Sequence, residues 1–223
     1  MKKITLLFTI ICAGQMYGME QTPYALLLPE LKQKIVNMAL QSKNNTLDEA
    51  INALKGASAF YKVSFDKLFG DLKDFTKLVH ILAAEFNVST KEVAEKFNIP
   101  IAQKYINLGE KLIDLVYGEK LPPVKAIKLY EANLTPKKAN PNEIIKLIED
   151  GADVNFTAKL DLTSGYNESP LSISTNNGDI TLTKLLLKHG ANPELAAKIL
   201  KPSFIRYNEE VKELIKEAMK EQQ

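Results

Sequence analysis

Two histidines, His80 and His189, and one cysteine, Cys12, are the chain's entire stock of imidazole and thiol groups. They stand far apart in sequence. His80 lies within KLVHILAAEF and reads as a helix residue half covered by packing. His189 directly precedes Gly190 at an expected helix C-terminus, where a polar or basic side chain suits the helix dipole. A Cys/His metal cluster needs several such ligands at short spacing, and the chain cannot assemble one. Gly-rich phosphate loops and the GxSxG nucleophile turn are both absent. The acidic pairs Glu149-Asp150 and Glu209-Glu210 fall on solvated helix faces, with nothing beside them to orient a base or a nucleophile. The expectation is a non-catalytic protein with no cofactor and no metal.

The elements that carry these residues read as helices. Trp is absent, only 10 of 223 residues are Gly, and Lys, Glu, Leu and Ala are abundant. That mix favours an all-α fold over a sandwich or barrel. Hydrophobic residues make up 45% and charged residues 25%, which suits a folded chain. The 29 basic and 27 acidic residues nearly cancel, so no global field draws in nucleic acid or an anionic surface.

Residues 1–18, MKKITLLFTIICAGQMYG, have the layout of a secretory signal peptide. Two lysines precede an apolar run from Ile4 to Ala13, and small and polar residues follow. The run is too short to cross a hydrocarbon core as a helix, so no stable membrane span is expected in the mature form. Cleavage is expected after Gly14 or Gly18. Ile11 stands where a lipoprotein signal needs a small residue before Cys12. The mature chain then lacks cysteine, and its stability rests on packing alone. The expected localisation is exported, either periplasmic or secreted.

A helical N-terminal domain is expected over 19–120. PELKQKIVNMAL (29–40) opens on Pro29 and sets Leu31, Ile35, Met38 and Ala39 on one face. Thr46 and Glu49 form a capping box for 46–55. Further helices are expected at 71–87, 89–98 and 100–118, and 60–70 is ambiguous between a loop and a short helix. The composition shifts at EKLPP (119–123), which places a boundary near 120.

Beyond that boundary, IIKLIEDGADVN (144–155) and LTKLLLKHGANP (182–193) match each other. In both, an apolar helical run is stopped by Gly-Ala and then Asp or Asn. Gly151 and Gly190 are well placed as C-caps and stand 39 residues apart. Such self-similarity marks a stacked repeat. Ser169-Pro170-Leu171-Ser172 adds a capped helix start, and Asn177-Gly178-Asp179 a turn between helices.

With these motifs, residues 121–223 resemble the ankyrin-repeat family, whose unit of about 33 residues is a turn, two helices and a projecting hairpin. Ser169–Ser172 falls on the family's Thr-Pro-Leu-His tetrad. The resemblance implies a short stack with first helices at 122–133 and from 170, second helices at 141–150 and from 180, and a degenerate C-terminal cap. Ser172 stands where the family has histidine, so the bridging hydrogen bonds of the imidazole are expected to be lost or taken by water. The six residues in excess of the period lie in FTAKLDLTSGYNE (156–168), which implies an enlarged hairpin loop.

The resemblance implies protein recognition by loops and first helices. The candidate binding residues are Phe156, Lys159, Leu160, Asp161, Tyr166 and Asn167 in the loop, with Ser172, Thr175 and Asn176 on the helix behind it. Tyr166 is the expected anchor, since an aromatic with a hydroxyl suits an interface. LPELKQKIVNMAL (28–40) also resembles the opening of an F-box, short of one residue between Pro29 and Glu30. That implies docking on a ubiquitin-ligase scaffold, whereas the plain reading is a helical cap for the repeats. The combination resembles proteins exported by bacteria living inside eukaryotic cells, which puts a host protein among the expected partners. A structural, envelope-associated protein without a dedicated partner is the remaining alternative. STKEVAEKFNIPIAQKYINLGEKL (89–112) has helix-turn-helix spacing, but its second helix offers only Gln103, Lys104 and Asn107 to phosphates and base edges. No nucleic-acid partner is expected.

Overall fold

The computed structural model describes residues 32–33, 35–37, 39–40, 46–60, 64–117, 140–159, 167–197 and 209–221, with side chains at 58–60 excepted. These residues are all-α: no strand occurs among them, and the single piece of extended pairing is an isolated antiparallel bridge, Ala158 to Glu168. The expected signal peptide, Pro29, the helix expected at 122–133 and loop residues 160–166 lie outside the described residues.

Most of the helix starts, and several of the stops, carry a readable local signal. Helix α1 (Leu47–Phe60) follows Thr46, whose capping box with Glu49 is closed in both directions. Ser64 caps the short α2 (Phe65–Phe69), so the ambiguous stretch contains a helix. Asp71 caps α3 (Leu72–Phe86) and Ser89 caps α4 (Thr90–Phe97). Both helices stop on asparagines in the left-handed conformation, Asn87 at φ 52° and Asn98 at φ 48°. A short polar side chain tolerates that backbone better than a branched one does. Helix α5 (Pro100–Tyr117) starts on proline, whose missing N–H costs nothing in a first turn.

After residue 139 come α6 (Pro141–Glu149), α7 (Pro170–Asn176), α8 (Ile180–Lys188), α9 (Pro193–Ala197) and α10 (Glu209–Glu221). The two Gly-Ala stops close in the same way. Gly151 and Gly190 have φ of 97° and 86°. Gly151 N–H bonds Ile148 O at 3.0 Å and Ala152 N–H bonds Leu147 O at 2.9 Å; Gly190 and Ala191 repeat this onto Leu187 and Leu186, both at 3.0 Å. Both are Schellman closures, which glycine reaches without a Cβ penalty. On α10, Val211 and Ile215 are buried while Glu213 between them and Lys216 and Glu217 beyond face solvent.

The core is continuous across the boundary read near 120. Helix α5 packs on α3, α4, α6 and α7. A chain of ring contacts runs from Phe65 to Phe97, Phe75, Tyr105 and Phe156, with centroids 5.3–5.9 Å apart. It passes from the N-terminal helices into the segment after α6. Ile35 and Val36, from the F-box-like stretch, are buried in the same core. No described helix is long and apolar enough to cross a membrane.

Candidate functional site

The structure places the candidate binding residues in two groups. Ala158 and Glu168 exchange backbone hydrogen bonds of 3.0 and 2.9 Å, so the segment between them leaves and returns at one point. Lys159, just past this bridge, is exposed, and its ammonium lies 3.7 Å from Glu92 on α4. Both partners are largely solvated, so the pair adds little stability. Leu160, Asp161 and Tyr166 lie outside the described residues. Asn167 is half-buried at the base, and its Oδ1 is enclosed without a hydrogen-bond partner.

The other candidates serve as the foundation. Phe156, read as part of an exposed loop, is fully buried. Its ring lies against Gly109 on α5, the residue whose lack of a side chain makes room for it, and it tilts against Tyr105. Phe156 is therefore part of the core on which the Ala158–Glu168 bridge stands. Ser172 and Thr175 are also buried, against the expectation that they face a partner. Thr175 Oγ1 donates back to Ser172 O, as a helical threonine with no better partner does. Asn176 is half-buried at the end of α7.

Ser172 corrects the expectation of lost bridging bonds. Ser169 N–H donates to Ser172 Oγ at 2.7 Å, and Ser172 N–H donates to Ser169 Oγ at 3.1 Å, a reciprocal capping box made by two serines. The Ser172 hydroxyl proton has two acceptors within reach, Ser169 O at 2.8 Å and Glu168 Oε2 at 3.0 Å. Burial pushes the Glu168 carboxyl above its usual range, against the downward pull of that hydroxyl. Ser172→Ala should therefore cost about 1–2 kcal/mol, because it leaves the buried Ser169 N–H without its acceptor. Urea unfolding of the variant beside wild type measures this, and an unchanged midpoint would show the box to be dispensable.

Behind the bridge the segment is bolted to the N-terminal helices by contacts between residues far apart in sequence. Thr90 N–H donates to Thr157 Oγ1 at 2.9 Å, and Thr157 N–H donates to Thr90 Oγ1 at 2.8 Å. Lys91 N–H also bonds Thr157 O at 3.1 Å. Two of the backbone donors left open by the start of α4, those of Thr90 and Lys91, are thus answered by this segment, while Glu92 N–H is capped by Ser89.

Asp153 gathers the third set of contacts. Its Oδ2 accepts from Tyr105 Oη at 2.6 Å and lies 2.8 Å from His80 Nε2. Its Oδ1 accepts from Asn155 N–H at 2.9 Å. The Asp153 side chain is 5% exposed, whereas that of His80 is 37% exposed. Burial drives the Tyr105 hydroxyl well above its usual pKa, and the Asp153 charge adds to this, so Tyr105 acts as a neutral donor. Asn155 continues the line: its amide donates to Gly190 O at 3.1 Å and accepts from Asn192 N–H at 2.7 Å. One carboxylate and one amide thus connect α3, α5 and both Gly-Ala turns. His80 was legible only as a helix residue; its partner stands 73 positions away, and no local pattern announces such a pair.

A shallow groove of about 380 Å³ opens at the α4–α5 turn, lined by Ala94, Asn98, Ile99, Pro100, Gln103 and Ile106 among others. Its single charged lining residue is Glu95, and Gln103 is engaged with Asn107. Among the described residues, no group of three or more His, Cys, Asp or Glu side chains is placed to hold a metal ion.

Fold and geometry together define a class: an all-α protein in which a helical bundle holds one bridged loop on a buried base. No protein-family model matches the chain, and no solved structure matches it. At the level of particular proteins, 162 residues, 73% of the chain, are 25% identical to replication factor C small subunit 1 of Pyrobaculum aerophilum and cover 41% of that protein. The chain spans about two-fifths of that relative's length. A likeness of this extent assigns neither a family nor an activity.

Proposed function

We propose that this chain is an exported, non-catalytic protein-binding module, a short ankyrin-like stack that presents the 159–167 loop to a protein partner. The observation that carries the reading is the closure of that loop at the Ala158–Glu168 bridge, above a base of buried side chains. A loop so fastened can vary in sequence while its ends keep their place, which is the division of labour expected of a recognition surface. The ankyrin-like part of the proposal is supported by the two matching Schellman closures, the Asn155 link between them and the Ser169-Pro170 helix start. The recognition residues under this reading are Lys159, Leu160, Asp161, Tyr166 and Asn167. Phe156, Ser172 and Thr175 hold the loop's base in place.

The test compares wild-type protein with a Lys159→Ala/Asp161→Ala/Tyr166→Ala variant as baits in host-cell and bacterial extracts. The expected result is a defined set of proteins recovered by wild type and lost from the variant, with the unfolding midpoint unchanged. Recovery of the same proteins by both baits would remove the loop from the binding surface.

A further inference from the structure

We propose that His80 and Asp153 form a proton-operated latch that fastens the 151–158 segment to the α3–α5 bundle, tight with the imidazole protonated and looser with it neutral. The inference stands independently of the binding function proposed above. Its basis is geometric. Asp153 is almost completely enclosed, yet His80 is more than a third exposed, so the proton can come and go at one end of a buried contact. The contact joins two parts of the chain 73 residues apart, and Asn155 relays it to the second Gly-Ala turn.

Among the described residues, the groups facing His80 are these. From the 151–158 segment it faces Asp153, and from α5 it faces Tyr105 across the same carboxylate oxygen. On α3 itself the nearest charged residue by helical spacing is Lys77, three positions earlier, while Ala83 and Ala84 occupy the next turn. Burial pulls the imidazole down, but the hydrogen bond and charge of Asp153 outweigh it and hold His80 above its usual value of about 6.5. A group raised in the folded state contributes stability that is complete below the unfolded value and is lost as pH rises through the folded one. The latch is therefore closed in mildly acidic conditions and releases as pH climbs above about 6.5. A neutral imidazole can still donate from Nε2, so release loosens the joint and leaves the fold standing.

The full chain has two histidines, so imidazole NMR separates His80 from His189 once one variant has been made. Wild-type His80 should titrate above about 6.5, and Asp153→Asn should bring it below that value. Amide exchange, corrected for intrinsic rates, should show the 152–158 amides several-fold better protected at pH 6 than at pH 8. His189→Gln should keep that ratio, and His80→Gln should bring it to one. A His80 that titrates at or below the unfolded value overturns the proposal. So does equal protection at the two pH values in wild type, or a His80→Gln protein that keeps the wild-type ratio.

Discussion

Phe156→Ala is expected to lower the unfolding free energy by about 3–5 kcal/mol, the usual cost of emptying a fully buried aromatic site. For a chain of this size, that corresponds to a fall in Tm on the order of 10 °C. The loss has two parts: the ring's buried area, and the cavity that Tyr105 and Gly109 cannot collapse to fill. Gly109→Ala tests the same joint from the other side. In an exposed helix interior that change gains about 1 kcal/mol in propensity. Here a Cβ would overlap the Phe156 ring itself, so the net effect should be a loss, through an overpacking cost of about 1–3 kcal/mol. The double variant is the decisive measurement. With the ring gone, the added methyl gains propensity and fills part of the void, so Gly109→Ala should change sign from harmful to helpful. Additive effects across the cycle would mean that the two residues do not share the contact described here.

Asp153→Ala is the second large effect. It removes the acceptor for Tyr105 Oη, for Asn155 N–H and for the nearest His80 nitrogen. The cost should be about 3 kcal/mol, and most of it falls on Tyr105, whose buried hydroxyl proton loses its carboxylate acceptor. The His80 share is smaller because solvent reaches that side chain. Removing both ends of a buried hydrogen bond costs less than removing one. Tyr105→Phe in the Asp153→Ala background should therefore restore part of the lost stability, though the same change in wild type is destabilising. Urea midpoints for the four proteins at pH 6 give the answer. An Asp153→Ala protein within about 0.5 kcal/mol of wild type would show the cluster to be ornamental.

The parts of this fold that were legible in the sequence are those fixed by neighbours along the chain. Thr46 with Glu49, Asp71, Ser89 and Ser169 each announce a helix start within three residues of the donor they satisfy. Gly151 and Gly190 announce the stops. A helix expected at 71–87 is found at Leu72–Phe86, with Phe75, Leu78, Val79 and Leu82 buried on its inner face.

What escaped was the docking of one part on the other, which depends on pairs separated by tens of residues. Phe156 looked like loop because the excess over the repeat period begins there. Its burial is decided by a glycine 47 positions earlier, within a helix pattern where a glycine reads only as a mild fault. Ser172 looked like a loss because it was compared with histidine; its short hydroxyl reaches the Ser169 N–H that a capping box requires. Thr90 and Thr157 are ordinary residues singly, and only the fold makes them a pair.

The Phe156 joint also ties the C-terminal half to the N-terminal helices. On one side, Asn155 links the two Gly-Ala turns to each other. On the other side, the first turn ends against α3 and α5 with an aromatic ring seated in a glycine notch. The C-terminal half therefore cannot be lifted out as a portable part without exposing Phe156.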